Sequence, residues 1–281
     1  MLRDFSDQAP MHPLLFEISL GSFGAVRVPA FGAFLAVALW VGFALTVRLA
    51  GRAGLAQGSV VAASLNALFV GVLGARLGFV LLHRAELGSL GEAFSLRSGG
   101  LSGTVGLALG ALMLAWEAHR RGLPPTTLCD AAAPALAAAV ALTRIGCWLE
   151  GCDYGTVLSR SAPALIARLG TFPSGSPAWV DAVIAGTLSP SASASLPVHP
   201  SELYESALSV VLLGLVLVAR GRQRVAGTTA LVALLGYFAL RVLVDLSRPL
   251  SADVWCARAA LLAALGTTAL LRARPALARR P

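Results

Sequence analysis

Long apolar runs separated by short polar breaks organise the whole chain. Seven runs approach membrane-spanning length: residues 28–47, 58–82, 99–116, 128–149, 203–218, 227–246 and 254–271. A spanning helix needs about 20 mostly apolar residues. The third and fifth runs are short for that, so their ends are the least defined. One break, 156–198, is far longer than the rest and rich in Ser, Pro and Ala. The pattern predicts an all-α integral membrane protein of about seven transmembrane helices. It would be a single polytopic domain over 1–281, with 156–198 as an external loop or arm between spans four and five. Within that loop, 162–169 reads as a short helix, and Trp179 is of a type that favours membrane interfaces.

Composition agrees. Hydrophobic residues make up 57% of the chain and charged residues 13%, with mean hydropathy +0.77. That excludes an ordinary soluble domain. The net charge is +8, and every Lys-or-Arg position is Arg. A basic balance can signal nucleic acid. Here the arginines flank apolar runs, so membrane lipid is the expected partner and nucleic acid is not. No basic start and small-residue cleavage site precede the first run, so no cleaved signal peptide is expected.

Arginine placement orients the spans. One set of loops holds Arg48, Arg52, Arg120, Arg121, Arg220, Arg222, Arg224 and the tail arginines. The other set holds fewer once the long loop is discounted, because long loops translocate regardless of charge. The bias predicts an outside N-terminus and a cytoplasmic C-terminus.

Arg76, Arg144 and Arg241 lie inside the runs, and Arg258 lies near the end of one. A charge at that depth is paired, placed in a wet cavity, or given a charged ligand. With this orientation Arg144 sits about five residues, or roughly 8 Å, below the outer end of its helix. Arg241 has the equivalent depth and Arg76 lies in the outer third. A cluster of arginines at one depth points to an anionic ligand drawn from the lipid. The inner half is nearly all apolar, which disfavours a transporter with a polar path across the membrane.

Tyr237, Arg241, Asp245 and Arg248 fall on one face of the sixth span. Two arginines share one aspartate on that face. Either positive charge is left for a ligand, or the face is an internally neutralised network. The segment 143–155, TRIGCWLEGCDYG, combines Arg144 with Gly146, Gly151 and Gly155. Its glycines allow close backbone approach. The opening of the third span holds Gly99, Gly100 and Gly103. Its amides suit an anion at a helix N-terminus, or its glycines, with Gly106 and Gly110, serve close helix packing. Cys147 and Cys152 at the outer face could be oxidised, though buried thiols are the simpler expectation. Their spacing does not suit a structural metal site, so no metal or cofactor is expected.

At these motifs the chain resembles the prolipoprotein diacylglyceryl transferase family. The resemblance rests on five stretches in order. They are GARLG at 74–78, GGL at 99–101, RIGCWLEGCDYG at 144–155, HPSELYE at 199–205, and the series Tyr237, Arg241, Asp245, Arg248, Pro249. It covers all but the tail. It implies a seven-span enzyme of the bacterial inner membrane that transfers the diacylglyceryl group of phosphatidylglycerol. The acceptor would be the lipobox cysteine thiol of prolipoprotein signal peptides, and glycerol phosphate would be released. Arg144 and Arg241 are the expected catalytic arginines on the head group. Arg76, Gly99, Gly100, Gly151, Gly155, Glu202 and Tyr237 would complete its binding site.

The chain departs from the family at three positions. Ser98 stands where the family has His, Phe31 where it has Tyr, and Cys147 where Asn is frequent. Without that histidine another proton acceptor is needed. His199, Glu150, Asp153 and Glu202 are candidates, with His199 first because imidazole as a type titrates near neutral pH. The alternative is a paralogue that binds lipid without transferring it.

Overall fold

The computed structural model describes residues 14–19, 25–82, 84 and 100–248. Among the described residues two strands, β1 (Leu14–Ser19) and β2 (Ala25–Pro29), precede eight helices. These are α1 (Ala30–Arg52), α2 (Gln57–Leu82), α3 (Gly103–Arg120), α4 (Pro125–Glu150), α5 (Ala164–Leu169), α6 (Pro177–Ile184), α7 (Ser201–Arg222) and α8 (Thr228–Asp245).

Five of them, α1, α2, α4, α7 and α8, are long and apolar enough to cross a membrane. α3 lies where the third run was expected but extends to Arg120, taking in Glu117 and His119, which lower its apolarity. α7 was expected at 203–218 and runs over 22 residues. Ser201 and Glu202 at its start and Arg220 and Arg222 at its end belong to the helix but not to the apolar run. The run at 254–271, with Cys256 and Arg258, lies outside the described residues.

The antiparallel pair β1–β2, with Ile18 opposite Val26, was not anticipated. Its strands of six and five residues are too short to register as spans.

The chain forms two compact units. One comprises Met1–Trp40, Leu136–Val218 and Leu231–Pro281, the other Val41–Ala135 and Ala219–Ala230. In the second unit Leu49, Ala50, Val60, Ala63, Ala118, Leu123, Leu128 and Ala131 form an apolar core. α2 and α3 approach closely: a Cβ on Gly106 would stand 2.7 Å from the Ala75 Cβ and 2.8 Å from the Gly71 carbonyl oxygen. These glycines therefore serve helix packing. Buried Asp130 holds the turn between α7 and α8. Its Oδ2 accepts from Gln223 Nε2 at 2.5 Å and from the Gly227 N–H at 2.6 Å, and its Oδ1 accepts from the Ala230 N–H at 2.8 Å.

In the first unit the segment 156–198 is folded. Val157 pairs with Val198 and Pro173 with Ala194. Phe172 is fully buried beside Ala178 and Val198, with Trp148 and Tyr154 packed against them. Trp148 Nε1 donates to the Leu169 carbonyl at 2.9 Å, tying α4 to the end of α5. Trp179 Nε1 donates to the Ala192 carbonyl at 2.8 Å. α5 matches the short helix expected at 162–169.

Candidate functional site

The site of the first unit begins where α4 stops. Gly151 adopts φ +75°, and its N–H and that of Cys152 close on the Cys147 carbonyl at 2.9 and 3.1 Å. A left-handed glycine is a common helix terminator. Any side chain here would also strike Phe172, since a Cβ would lie 2.6 Å from its ring. Asp153 follows at φ +68°, a conformation that aspartate tolerates better than most residues. The turn carries the Asp153 carboxylate back to Arg144, whose Nη1 donates to Oδ2.

Two residues on, Gly155 sits where three segments meet. Its N–H donates to the His199 carbonyl at 2.8 Å, and the Thr156 N–H donates to the Ser247 carbonyl at 2.8 Å. A Cβ on Gly155 would stand 2.3 Å from the Ser247 carbonyl oxygen and 2.5 Å from Ser201 Oγ. Only glycine lets the exit of α4, the entry of α7 and the end of α8 come this close.

Glu205 lies at the centre of what these segments assemble. Its Oε2 is 3.0 Å from Arg144 Nε, 2.5 Å from Arg241 Nη1 and 3.8 Å from Arg248 Nη2. Arg241 Nη2 also lies 3.4 Å from Asp245 Oδ1, and Arg248 Nη1 lies 3.9 Å from Asp153 Oδ1. The side chains of Glu205 and Asp245 are fully buried, whereas that of Asp153 is 48% exposed.

This corrects the sequence-based charge count. The face of α8 alone shows two arginines to one acid. The folded cluster holds three guanidinium groups and three carboxylates, because Glu205 comes from α7 and Asp153 from the turn after α4. No surplus cation stands ready in the described cluster.

One carboxylate beside the cluster and one guanidinium nitrogen within it lack the partners buried polar atoms normally have. Both carboxylate oxygens of fully buried Glu202 have no hydrogen-bond partner among the described residues, and neither does Arg248 Nε. Burial alone would raise the Asp153 carboxyl, but the charges of Arg144 and Arg248 outweigh it and hold the group below the ordinary carboxylate range. Burial lowers the Arg248 guanidinium, opposed by Asp153 and reinforced by Arg241 and Arg144.

The other expected residues are distributed as follows. Tyr237 lies one turn before Arg241, its ring edge-on to Phe238 at 5.8 Å. His199 Nδ1 is 3.3 Å from the Tyr204 hydroxyl. Glu150 Oε2 accepts from the Phe31 N–H at 3.4 Å, which satisfies a donor in the first turn of α1. Cys147 Sγ lies 3.9 Å from Arg144 Nη1, and Cys147 and Cys152 are free thiols. In the second unit Arg76 Nη1 donates to the Gly100 carbonyl at 2.9 Å. The Ser102 N–H donates to the Ala75 carbonyl at 2.8 Å, so that amide is engaged within the unit. Ser98, Gly99 and Pro249 lie outside the described residues.

Glu205 and Arg248 were in quoted motifs but not among the expected site residues. The rule that singled out the arginines could have found Glu205, since a carboxylate inside an apolar helix also demands a partner.

The model of the prolipoprotein diacylglyceryl transferase family matches residues 18–271. Three similar proteins are each named phosphatidylglycerol–prolipoprotein diacylglyceryl transferase. That of Paraburkholderia phymatum is 32% identical over 201 residues, 64% of each chain. That of Paraburkholderia phytofirmans is 32% identical over 215 residues, 69% of this chain and 68% of the relative. That of Burkholderia thailandensis is 33% identical over 192 residues, 63% of this chain and 62% of the relative. The matched part thus spans between 62% and 68% of these relatives' lengths.

Proposed function

Because the chain belongs to the prolipoprotein diacylglyceryl transferase family, we propose that it carries out that transfer. The donor is phosphatidylglycerol and the acceptor is the lipobox cysteine thiol of a prolipoprotein signal peptide. The reaction takes place at the outer leaflet of the bacterial inner membrane. The chain is a single polytopic domain of seven spans, N-terminus outside and C-terminus cytoplasmic, with 156–198 as a periplasmic arm.

The convergence of Arg144, Arg241 and Arg248 on Glu205 and Asp153 carries this reading. A thiolate attacks a glycerol carbon and the phosphate ester leaves. Guanidinium groups suit both events: they bind two phosphate oxygens at once and stabilise the departing charge. Arg144 and Arg241 take the phosphate. Glu202 receives the head-group hydroxyls, supported by its two buried oxygens that no donor among the described residues satisfies. Gly151 and Gly155 shape the turn around the head group, and Tyr237 lines it from α8. By family resemblance, Arg76 of the second span and Gly99 and Gly100 at the start of the third are further head-group residues. His199 accepts the thiol proton, with Tyr204 fixing its ring through Nδ1.

The test is lipid binding and transfer in Arg144→Ala and Arg241→Ala, reconstituted with phosphatidylglycerol and a lipobox peptide. Both variants should insert normally and lose transfer. Each lost charge-assisted phosphate contact removes on the order of 1.5–3 kcal/mol of binding. Near wild-type activity in either would refute the head-group assignment.

Ser98 at the family's histidine position favours a second reading, a paralogue that binds the lipid without transferring it. That protein would bind phosphatidylglycerol, transfer nothing, and gain transfer on Ser98→His.

A further inference from the structure

The ion pairs around Glu205 leave none of the three guanidinium groups without a carboxylate, and fully buried Glu202 adds another carboxylate beside them, which creates a difficulty for any anionic ligand. Three guanidinium groups already face three carboxylates. Adding a phosphate would leave a net negative charge in a largely buried site, and uncompensated buried charge is strongly disfavoured. One carboxylate must therefore leave. Glu205 and Asp245 are fully buried on helices. Asp153 is different. It is half exposed, lies on a turn outside any helix, and sits at φ +68° two residues after left-handed Gly151.

We propose that Asp153 is a displaceable counter-ion that occupies the phosphate position on Arg144, beside Arg241 and Arg248, and yields it to the lipid. This rests on the head-group reading above. In the lipid-free protein Asp153 keeps the Arg144 and Arg248 guanidinium groups aimed at one point. A phosphodiester carries one negative charge, so exchanging it for one carboxylate leaves the net charge of the site unchanged. Arg248 Nε, which has no hydrogen-bond partner among the described residues, gains one in the exchange.

The same exchange acts after the reaction. The C–O bond to phosphate breaks with its electron pair going to oxygen, and the thiolate sulfur forms the new C–S bond. The product is a phosphomonoester with up to two negative charges. It would hold a site of three guanidinium groups and two carboxylates more tightly than the substrate does. The returning Asp153 carboxylate competes with it and drives it out. Asp153 is thus a positioning residue that sets the affinity for substrate and the release of product.

Asp153→Asn in the full chain, in bilayers containing phosphatidylglycerol, separates this from a structural role. The KM for phosphatidylglycerol should fall by about tenfold or more, the size of one charged contact no longer displaced. Added glycerol phosphate should inhibit at correspondingly lower concentration, and kcat should fall with slower release. Asp153→Glu should keep the wild-type pattern. A purely structural Asp153 would misplace Arg144 and raise KM; a raised or unmoved KM overturns the proposal.

A second measurement uses the wild-type chain. Phosphatidylglycerol should increase coupling of a water-soluble carbodiimide and an amine to Asp153, read by peptide mass. Unchanged or decreased coupling also overturns it. If Arg144→Ala still binds phosphatidylglycerol normally, the head-group reading itself has failed. If that variant loses the lipid while Asp153→Asn leaves KM unmoved, only the counter-ion has.

Discussion

Glu205 holds the site together, because it is the carboxylate that Arg144, Arg241 and Arg248 share. Removing one partner of a buried ion pair leaves charge without compensation, at about 3–5 kcal/mol. Glu205→Ala should therefore lower stability by that order in a detergent unfolding titration, well beyond the effect of Asp153→Ala at the exposed edge. Asp153 also sets a pH dependence. Its folded value lies below its unfolded value, so its stabilising contribution is complete above the ordinary Asp range near 3.9 and is lost as pH falls through the lower folded value. The difference in thermal midpoint between wild type and Asp153→Asn should be flat from pH 8 to about 5 and shrink only below pH 4. At His199 the prediction is chemical. His199→Gln keeps hydrogen bonding to Tyr204 but cannot take the thiol proton, so transfer should fall by about 10²–10⁴-fold while phosphatidylglycerol still binds. A fully active His199→Gln would place the proton acceptor elsewhere.

Elements were legible in the sequence to the extent that their signal was local. The cores of α1, α2, α4, α7 and α8 stand out because each is a long apolar run. The ends of α7 do not, because Glu202 and Arg222 look like loop residues until a buried site and a helix end account for them. The β1–β2 pair was invisible for want of length. The charge balance was hidden for a different reason. Spacing along α8 brings Arg241 and Asp245 together, but no periodicity reveals that Glu205 on α7 and Asp153 after α4 face the same point. Asp130 is a similar long-range contact, with three donors from the turn between α7 and α8 on one buried carboxylate. Asp130→Ala would leave those donors unsatisfied, with the Gly227 and Ala230 N–H groups at the start of α8. A stability loss on the order of 2–4 kcal/mol is expected, read as a lower unfolding midpoint; an unchanged midpoint would mean the turn holds without it.

For the whole chain, arginine asymmetry and the position of the cluster depend on the same orientation. Reporter fusions after Arg121 and Arg224 should read cytoplasmic, and a fusion near Pro190 should read external. A cytoplasmic reading near Pro190 would put the Arg144–Glu205 cluster on the wrong side of the membrane for a secreted thiol. The family resemblance was readable from motifs alone, and the family match agrees with it. The motifs could not tell a working transferase from a lipid binder, because Ser98 replaces the expected histidine. The most direct measurement takes the purified chain, phosphatidylglycerol bilayers and a peptide bearing one lipobox cysteine, with a serine version as control. The account predicts a mass gain of one diacylglyceryl group on the cysteine peptide alone, with one glycerol phosphate released per peptide modified. Bound phosphatidylglycerol with neither mass gain nor glycerol phosphate release would contradict it.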